Sequence, residues 1–231
     1  MTAVIPRTVF GPEHEEFRAH VRKFYEREIT PHREEWEAAG QISREAWKKA
    51  GEAGFLCATM PAEYGGAGVD RYFSAVLIEE QARTFNSGPG FSLHSEIVAP
   101  YILNYGTEEQ KRNYLPRMAK GEIIGCIAMT EPGAGSDLQG VKTTAIRQGD
   151  HYVINGSKTF ITNGYMSDFV VLVAKTDPSA GAKGTSLILV DSGTPGYSKG
   201  KKLKKIGMHA QDTAELFFDN VKVPVKNLLG E

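Results

Sequence analysis

Apolar residues recur at helical spacing through the first half of the chain and at strand-like spacing through the second. Between residues 12 and 122 they return every three or four positions, as Phe17, Val21 and Phe24 do. Beyond residue 122 they form short runs rich in β-branched and aromatic side chains, which turn residues separate. The pattern predicts an α+β chain with an N-terminal all-α domain over residues 1–122 and a β domain over residues 123–231.

Capping residues and apolar content predict individual helices. Ser43 is a candidate N-cap for a helix that ends near Gly54. Thr107 with Gln110 fits a capping box before the last helix of the first domain. The stretch from residue 87 to residue 105 is apolar on most sides, which predicts a core helix.

The spacing of the short strands predicts a small antiparallel barrel or sandwich. Within it, Asn155-Gly156 fits a two-residue hairpin turn. The basic run from Lys199 to Lys205 is interpreted as a solvated connection, with a nearby nucleotide phosphate as the alternative.

Composition narrows the classes of function. The formal charge of −1 over 231 residues gives no basic footprint for nucleic acid or an acidic membrane. Cys57 and Cys126 are predicted to be isolated buried thiols in a reducing compartment, and the scattered histidines predict no metal site. No apolar run approaches the length of a membrane span, and the first ten residues lack a signal-peptide core. These features favour the cytoplasm.

One stretch carries a concentrated chemical pattern: Ala128-Met129-Thr130-Glu131-Pro132-Gly133-Ala134-Gly135-Ser136-Asp137. The apolar residues before Thr130 predict the end of a buried strand, and Pro132 stops a strand ladder because it has no N–H. Gly133 and Gly135 allow a close approach to the backbone since they lack a Cβ. A strand that ends in such a loop suits a flat, heteroatom-rich ligand or a phosphate.

Two other interpretations of this stretch compete with a ligand-binding loop. Proline, glycine, serine and aspartate also form ordinary surface turns, and composition alone does not separate that reading from a ligand loop. The segment Gly133-Ala134-Gly135 begins a dinucleotide-binding fingerprint, but Leu138 occupies its last glycine position. A predicted strand follows where that fingerprint requires a helix, so a Rossmann site is rejected.

A second segment some twenty residues later is Asn155-Gly156-Ser157-Lys158-Thr159-Phe160-Ile161-Thr162-Asn163-Gly164. Together the two segments resemble the flavin-contacting signatures of the acyl-CoA dehydrogenase family. The similarity extends over nearly the whole chain and is greatest to the family's long-chain members. Members of the family continue into a C-terminal four-helix domain, for which this chain shows no helices.

The resemblance implies a set of site residues. Those expected to bind FAD are Ile127, Ala128, Met129, Thr130, Glu131, Pro132, Gly133, Ala134, Gly135, Ser136, Phe160, Ile161 and Thr162. Thr130 and Thr162 would lie at the flavin edge, and Phe160 over the ring face, where many members have tryptophan. Those expected to contact acyl-CoA are Ser136, Ala182 and Lys183. The alternatives are a turn hydroxyl for Ser136 and an exposed, solvated ammonium for Lys183.

The resemblance also implies an activity. An enzyme of this family removes a proton from Cα and a hydride from Cβ of a fatty acyl-CoA, with the hydride passing to flavin N5. It works in fatty acid β-oxidation, passes electrons to an electron-transfer flavoprotein and assembles as a homo-oligomer, commonly a tetramer. A bacterial cytoplasm follows from this, or a mitochondrial matrix if a transit peptide has been removed.

No catalytic residue is assigned within the chain. In the family the general base is a glutamate of the C-terminal domain, beyond the position that matches Glu231. We therefore expect residues 1–231 alone to bind FAD weakly or not at all, and to be inactive. The alternatives are an acyl-CoA oxidase or flavin monooxygenase on the same scaffold, or a non-catalytic module that binds acyl-CoA.

Overall fold

The structure, a computed structural model, describes residues 7–230 as a set of helices followed by a sheet. The predicted order of an all-α region and then a β region is confirmed. The last long helix ends at Ala119 and the first strand begins at Gly125. No helix within residues 7–230 is both long enough and apolar enough to cross a membrane.

Six α-helices form the first region: α1 Pro12–Phe24, α2 Arg33–Ala39, α3 Arg44–Glu52, α4 Arg71–Arg83, α5 Ala99–Tyr105 and α6 Glu108–Ala119. A π-helical turn at Tyr25–Ile29 continues α1, and another at Leu93–Val98 leads into α5. Single turns of 3-10 helix fill several of the connections. Together these elements place a layer of helices against one face of the sheet.

The predicted helix caps are confirmed. Ser43 Oγ accepts a hydrogen bond from the Ala46 amide at 3.2 Å at the start of α3. Thr107 Oγ1 accepts from the Gln110 amide at 3.2 Å, and Gln110 Oε1 accepts from the Thr107 amide at 2.9 Å. The helix predicted from residue 87 begins only at Phe91. The residues before it include a glycine followed by a proline, a pair biased away from helical backbone.

Eight strands follow: β1 Gly125–Ala128, β2 Thr144–Gln148, β3 His151–Thr162, β4 Phe169–Lys175, β5 Thr185–Asp191, β6 Tyr197–Lys202, β7 Thr213–Pro224 and β8 Leu228–Leu229. They form one sheet in the order β6-β7-β3-β2-β4-β5-β8, and β1 also pairs with β4. The sheet is mixed and open, so the predicted antiparallel barrel or sandwich is wrong. The pairs β1–β4 and β2–β4 are parallel. The long loop between β1 and β2 lets both strands run in the same direction beside β4.

The hairpin turn predicted at Asn155-Gly156 is also wrong, since both residues lie inside β3. The turn between β2 and β3 is Gly149-Asp150. Gly156 marks an irregularity in the pairing of β3 with β7. A Cβ at Gly156 would lie 2.4 Å from Thr143 Oγ1, so glycine is needed there for the close approach of two backbones.

The central strand β4 is buried on both faces. Phe169 and Val171 pack toward the helices, against residues that include Val98, Ile102, Leu115 and Met118. Val170 and Leu172 point the other way, into a cluster shared with β3, β5 and β7. Cys57 and Cys126 are buried free thiols, as predicted.

Candidate functional site

The loop of residues 129–143 begins and ends beside the same strand. Ala128 at the end of β1 pairs with Leu172 of β4, and Thr144 at the start of β2 pairs with Lys175 of β4. The two ends of the loop are therefore held close together on one buried strand. This loop, called the glycine loop below, contains most of the stretch singled out from the sequence and projects from this anchored base.

A single backbone hydrogen bond joins the loop to the second predicted segment. The Thr159 amide donates to the Thr130 carbonyl at 2.9 Å. Phe160 is the next residue along β3, so the structure brings Thr130 and Phe160 to one junction. Thr162 lies two positions farther along the same strand and is half-buried.

Phe160 points away from the protein interior, with 67% of its surface exposed. Its φ of 58° lies in the left-handed region, which is unusual for an aromatic residue. The pairing of β3 with β7 shifts register between Lys158 and Ile161, as at a β-bulge. The bulge re-aims the phenyl ring, which leaves a flat apolar face available for stacking.

The loop glycines face open space. A Cβ added at Gly133 or Gly135 would meet no atom within 4 Å. Packing among residues 7–230 therefore does not require glycine at either position. Glycine at an open surface fits the close approach of a flat ligand to the loop backbone.

Some of the residues expected to bind FAD have buried side chains: Ala128, Glu131, Ala134 and Ile161. A ligand at this loop could reach them only through their backbone atoms. The Glu131 carboxylate accepts from the Lys142 amide at 2.7 Å, from the Thr143 amide at 3.0 Å and from the Lys158 ammonium at 2.9 Å. Burial acts to raise the pKa of Glu131, but these hydrogen bonds together hold it below its ordinary value.

The residues expected to contact acyl-CoA lie on two neighbouring exposed segments. Ser136 precedes a short 3-10 helix at Leu138–Gly140, which packs beside the 3-10 segment Pro178–Gly184. That second segment carries Ala182 and Lys183, both exposed. The structure thus brings Ser136 and Lys183 to the same side of the molecule, on loops that touch.

Sequence reasoning missed Lys158, which is 1% exposed. Its ammonium donates to the Met129 carbonyl at 3.0 Å and to Glu131 Oε1 at 2.9 Å. Burial lowers the pKa of Lys158, and the nearby Glu131 carboxylate opposes that shift. The only signal in the sequence was a lysine in an otherwise uncharged strand segment together with a glutamate in the glycine loop.

A second missed residue, Asp212, supports the end of β3. Its carboxylate accepts from the amides of Tyr165 and Met166 at 2.9 and 2.8 Å, and its carbonyl accepts from the Asn163 amide at 3.1 Å. Burial raises the pKa of Asp212. The turn that follows Thr162 is therefore held by a buried carboxylate.

The basic run between residues 199 and 205 is not the solvated connection that the sequence predicted. Three of its ammonium groups donate to backbone carbonyls. Lys199 donates to the carbonyls of Tyr165 and Ser167. Lys202 donates to the Ala39 carbonyl, and Lys205 donates to the Gln211 carbonyl. Burial lowers the pKa values of Lys199 and Lys205. These lysines fasten the edge of the sheet to its surroundings. Across residues 7–230 no group of three or more histidine, cysteine or acidic side chains is arranged to hold a metal ion.

Two family models match the chain. Residues 11–122 match the family model for the acyl-CoA dehydrogenase N-terminal domain, and residues 126–221 match that for the acyl-CoA dehydrogenase middle domain. The chain is 54% identical, over its whole length, to the mitochondrial long-chain specific acyl-CoA dehydrogenase of Sus scrofa. It spans 54% of that relative's length.

Solved structures show the same fold. An acyl-CoA dehydrogenase from Geobacillus kaustophilus superposes with a TM-score of 0.95 at 52% identity, over 98% of this chain and 60% of its own. A structure described as an electron transferring flavoprotein of Acidaminococcus fermentans superposes with a TM-score of 0.92 at 38% identity, over 98% of this chain and 60% of its own. A Mycobacterium smegmatis glutaryl-CoA dehydrogenase in complex with FADH2 superposes with a TM-score of 0.88 at 32% identity, over 96% of this chain and 56% of its own. The two domain matches and the whole-chain identity together show that this chain belongs to the acyl-CoA dehydrogenase family.

Proposed function

We propose that this chain forms the first two domains of an FAD-dependent dehydrogenase that oxidises longer-chain fatty acyl-CoA. The observation that carries the proposal is the junction between the glycine loop and β3. There, the bond between the Thr159 amide and the Thr130 carbonyl sets an outward-facing Phe160 beside a loop open to solvent.

The residues at this junction fit a flavin. Phe160 offers a ring face for stacking, and the open backbone at Gly133 and Gly135 leaves room for a flat ligand. Thr130 and Thr162 are both half-buried, and each carries a hydroxyl that can donate a hydrogen bond. A bound flavin would supply the two-electron acceptor for the reaction.

The acyl-CoA would lie toward Ser136 and the segment that carries Lys183. A hydroxyl and an ammonium on neighbouring exposed loops suit the polar and phosphate groups of a coenzyme A thioester. Similarity to a long-chain specific relative supports a longer acyl chain. The same similarity supports fatty acid β-oxidation as the setting.

The rest of the activity would depend on residues outside this chain. The general base, a glutamate in the resembled family, would come from a C-terminal helical domain. An electron-transfer flavoprotein would accept the electrons, and the protein would assemble as a homo-oligomer. A bacterial cytoplasm or a mitochondrial matrix would be its compartment, since relatives of both origins match.

An anaerobic titration tests the proposal. The full-length protein, purified with FAD, is mixed with acyl-CoA thioesters of increasing chain length while the flavin absorption band is recorded. We expect bleaching, strongest with longer chains. Flavin that stays oxidised with every chain length would overturn the proposal.

Two companion measurements address the alternatives. Rapid reoxidation of the substrate-reduced flavin by air would indicate an oxidase or a monooxygenase instead of a dehydrogenase. Residues 1–231 produced alone should show weak FAD binding and no reduction by acyl-CoA. Turnover by residues 1–231 would place the base within this chain and contradict the proposed division of labour.

A further inference from the structure

Lys158 and Glu131 form a buried ion pair at the base of the glycine loop. The side chain of Lys158 is 0% exposed and that of Glu131 is 6% exposed, with 2.9 Å between Nζ and Oε1. Neither residue offers its charged group to solvent or to a ligand. Any role of the pair is therefore exerted through the groups it holds.

The pair fastens both ends of the loop. Lys158 Nζ also donates to the Met129 carbonyl at 3.0 Å, where the loop leaves β1. Glu131 accepts from the amides of Lys142 and Thr143, where the loop returns to β2. One carboxylate and one ammonium thus hold the entry and the exit of the loop to strand β3.

Inside the loop, most other backbone hydrogen bonds join near neighbours in sequence, such as those from the Gly140 and Val141 amides to the Asp137 and Leu138 carbonyls at 3.3 and 3.2 Å. The amide of Glu131 donates to the Ala134 carbonyl at 2.9 Å, and the Ala134 amide donates back at 3.1 Å. The hydrogen bond from the Thr159 amide to the Thr130 carbonyl also joins the loop to β3. β1 itself pairs with β4 in the sheet, and the side-chain bonds of Lys158 add to this backbone bond between the loop and β3.

A gain in folding stability does not by itself explain a buried ion pair at this position. Two buried charges lose much of their mutual attraction to desolvation, and apolar residues of similar volume often stabilise a core as well. Fixed geometry is what an ion pair with several hydrogen bonds supplies and an apolar contact does not. The groups fixed here are Thr130 on the loop and, one residue from Thr159, Phe160.

We propose that Lys158 and Glu131 are positioning residues for the flavin. Together they hold the loop backbone and Phe160 in the arrangement that binds the isoalloxazine ring and sets its preference between oxidised and reduced forms. The inference rests on the proposed function, since it assigns these two residues a role at that same site.

Three variants of the full-length holoprotein test the proposal: Lys158→Met, Glu131→Gln and the two combined. We expect each single variant to raise the FAD dissociation constant about tenfold, because a buried charged group left without its partner displaces the loop that binds the flavin. The double variant should resemble the single ones, because residues that act as one unit are not additive. Independent, multiplying effects would show that the two do not act as a pair.

The flavin midpoint potential gives a readout that simple loss of stability does not move. A tenfold change in the ratio of affinities for oxidised and reduced flavin shifts a two-electron potential by about 30 mV. We expect a shift of about that size in Glu131→Gln, which keeps the side-chain volume and remains usable if Lys158→Met fails to fold. Hydrogen exchange at the Thr143 and Thr159 amides should quicken in the same variants.

Glu80→Gln is the matched control. Glu80 is 1% exposed, and its carboxylate binds Arg18 and Arg22 between α1 and α4, away from the glycine loop. The control should lower the stability of the protein and leave the FAD dissociation constant and midpoint potential unchanged. If the Lys158 and Glu131 variants match this control in both flavin measurements, the positioning role is wrong even where the wild-type flavin bleaches with acyl-CoA. A wild-type protein that does not bind FAD would instead overturn the proposed function, and this inference with it.

Discussion

The Gly125 amide donates a hydrogen bond to Nδ1 of the His94 imidazole at 3.0 Å. The opposite ring nitrogen, Nε2, donates to the Met118 carbonyl at 3.2 Å. A neutral ring protonated at Nε2 satisfies both bonds, and His94 is 0% exposed. The imidazole therefore ties the end of α6 to the first residue of β1, at the passage from helices to sheet.

This arrangement predicts loss of stability in acid. Burial lowers the pKa of His94 from 6.5 to about 4. Between pH 6.5 and 4 the His94 imidazole is protonated in the unfolded chain but neutral in the folded chain. The free energy of unfolding should therefore fall as the pH drops from 6.5 toward 4. The contribution amounts to roughly 3 kcal/mol over that range. Urea unfolding at several pH values measures it.

His94→Asn should flatten this part of the pH profile, because asparagine does not titrate. Its amide oxygen can accept from Gly125, but the bond to the Met118 carbonyl is lost. We expect a protein less stable than wild type at neutral pH by about 1–3 kcal/mol, with a shallower decline in acid. A variant with an unchanged slope would show that another group governs the acid response.

Arg44 and Asp168 predict an asymmetric pair of substitutions. Both terminal nitrogens of Arg44 donate to the Asp168 carboxylate, Nη1 to Oδ2 at 2.9 Å and Nη2 to Oδ1 at 2.8 Å. The same carboxylate accepts from the buried Ile124 amide at 2.8 Å. Asp168→Ala should cost more stability than Arg44→Ala, because it also leaves that amide without an acceptor, worth about 1–3 kcal/mol. Thermal unfolding of both variants checks this. Equal losses would mean that water replaces the carboxylate at Ile124.

Thr162→Val tests the expected flavin-edge hydroxyl. Valine keeps the branched shape and removes the donor, so reduction of bound flavin by acyl-CoA should slow by a factor equivalent to about 1–3 kcal/mol. FAD should stay bound. Thr144→Val, at a half-buried strand threonine in β2, is the matched control and should leave the rate unchanged. An unaffected rate in Thr162→Val would remove the assigned role.

Phe160 predicts a separation of stability from cofactor binding. Because the ring is 67% exposed, Phe160→Ala should change the free energy of unfolding of the FAD-free protein very little. It should weaken FAD binding, whereas Phe160→Trp should retain it, since both aromatic rings offer a stacking face. Phe217→Ala, at another exposed phenylalanine, is the control. Equal FAD affinity in all four proteins would exclude stacking on Phe160.

The sequence alone determined the features that local pattern controls. Helical periodicity and then short apolar runs gave the order of the two regions, and the caps at Ser43 and Thr107 marked helix starts because each acts on an amide only three residues away. The two motif segments and the resemblance they carry led to the family, and the Thr130 carbonyl accepts a hydrogen bond from the amide of Thr159, the residue before Phe160.

Only the tertiary structure decided how distant segments pair. The antiparallel barrel failed because β1 and β2 both join β4 in parallel, and no local signal encodes which strand a loop returns to. Asn155-Gly156 has the composition of a turn, yet close approach to Thr143, brought near by the fold, is what requires the glycine. Lys199 and Lys202 bind the carbonyls of Tyr165 and Ala39, which lie far away in sequence.

The same reason explains why the ion pair between Lys158 and Glu131 was not predicted, although Glu131 was among the residues expected to bind FAD. A lysine in a strand and a glutamate in a loop are ordinary residues one by one. Their contact at 2.9 Å exists only once β3 lies beside the loop that leaves β1. Local spacing specifies helices, caps and turns, whereas a buried ion pair is a product of long-range packing.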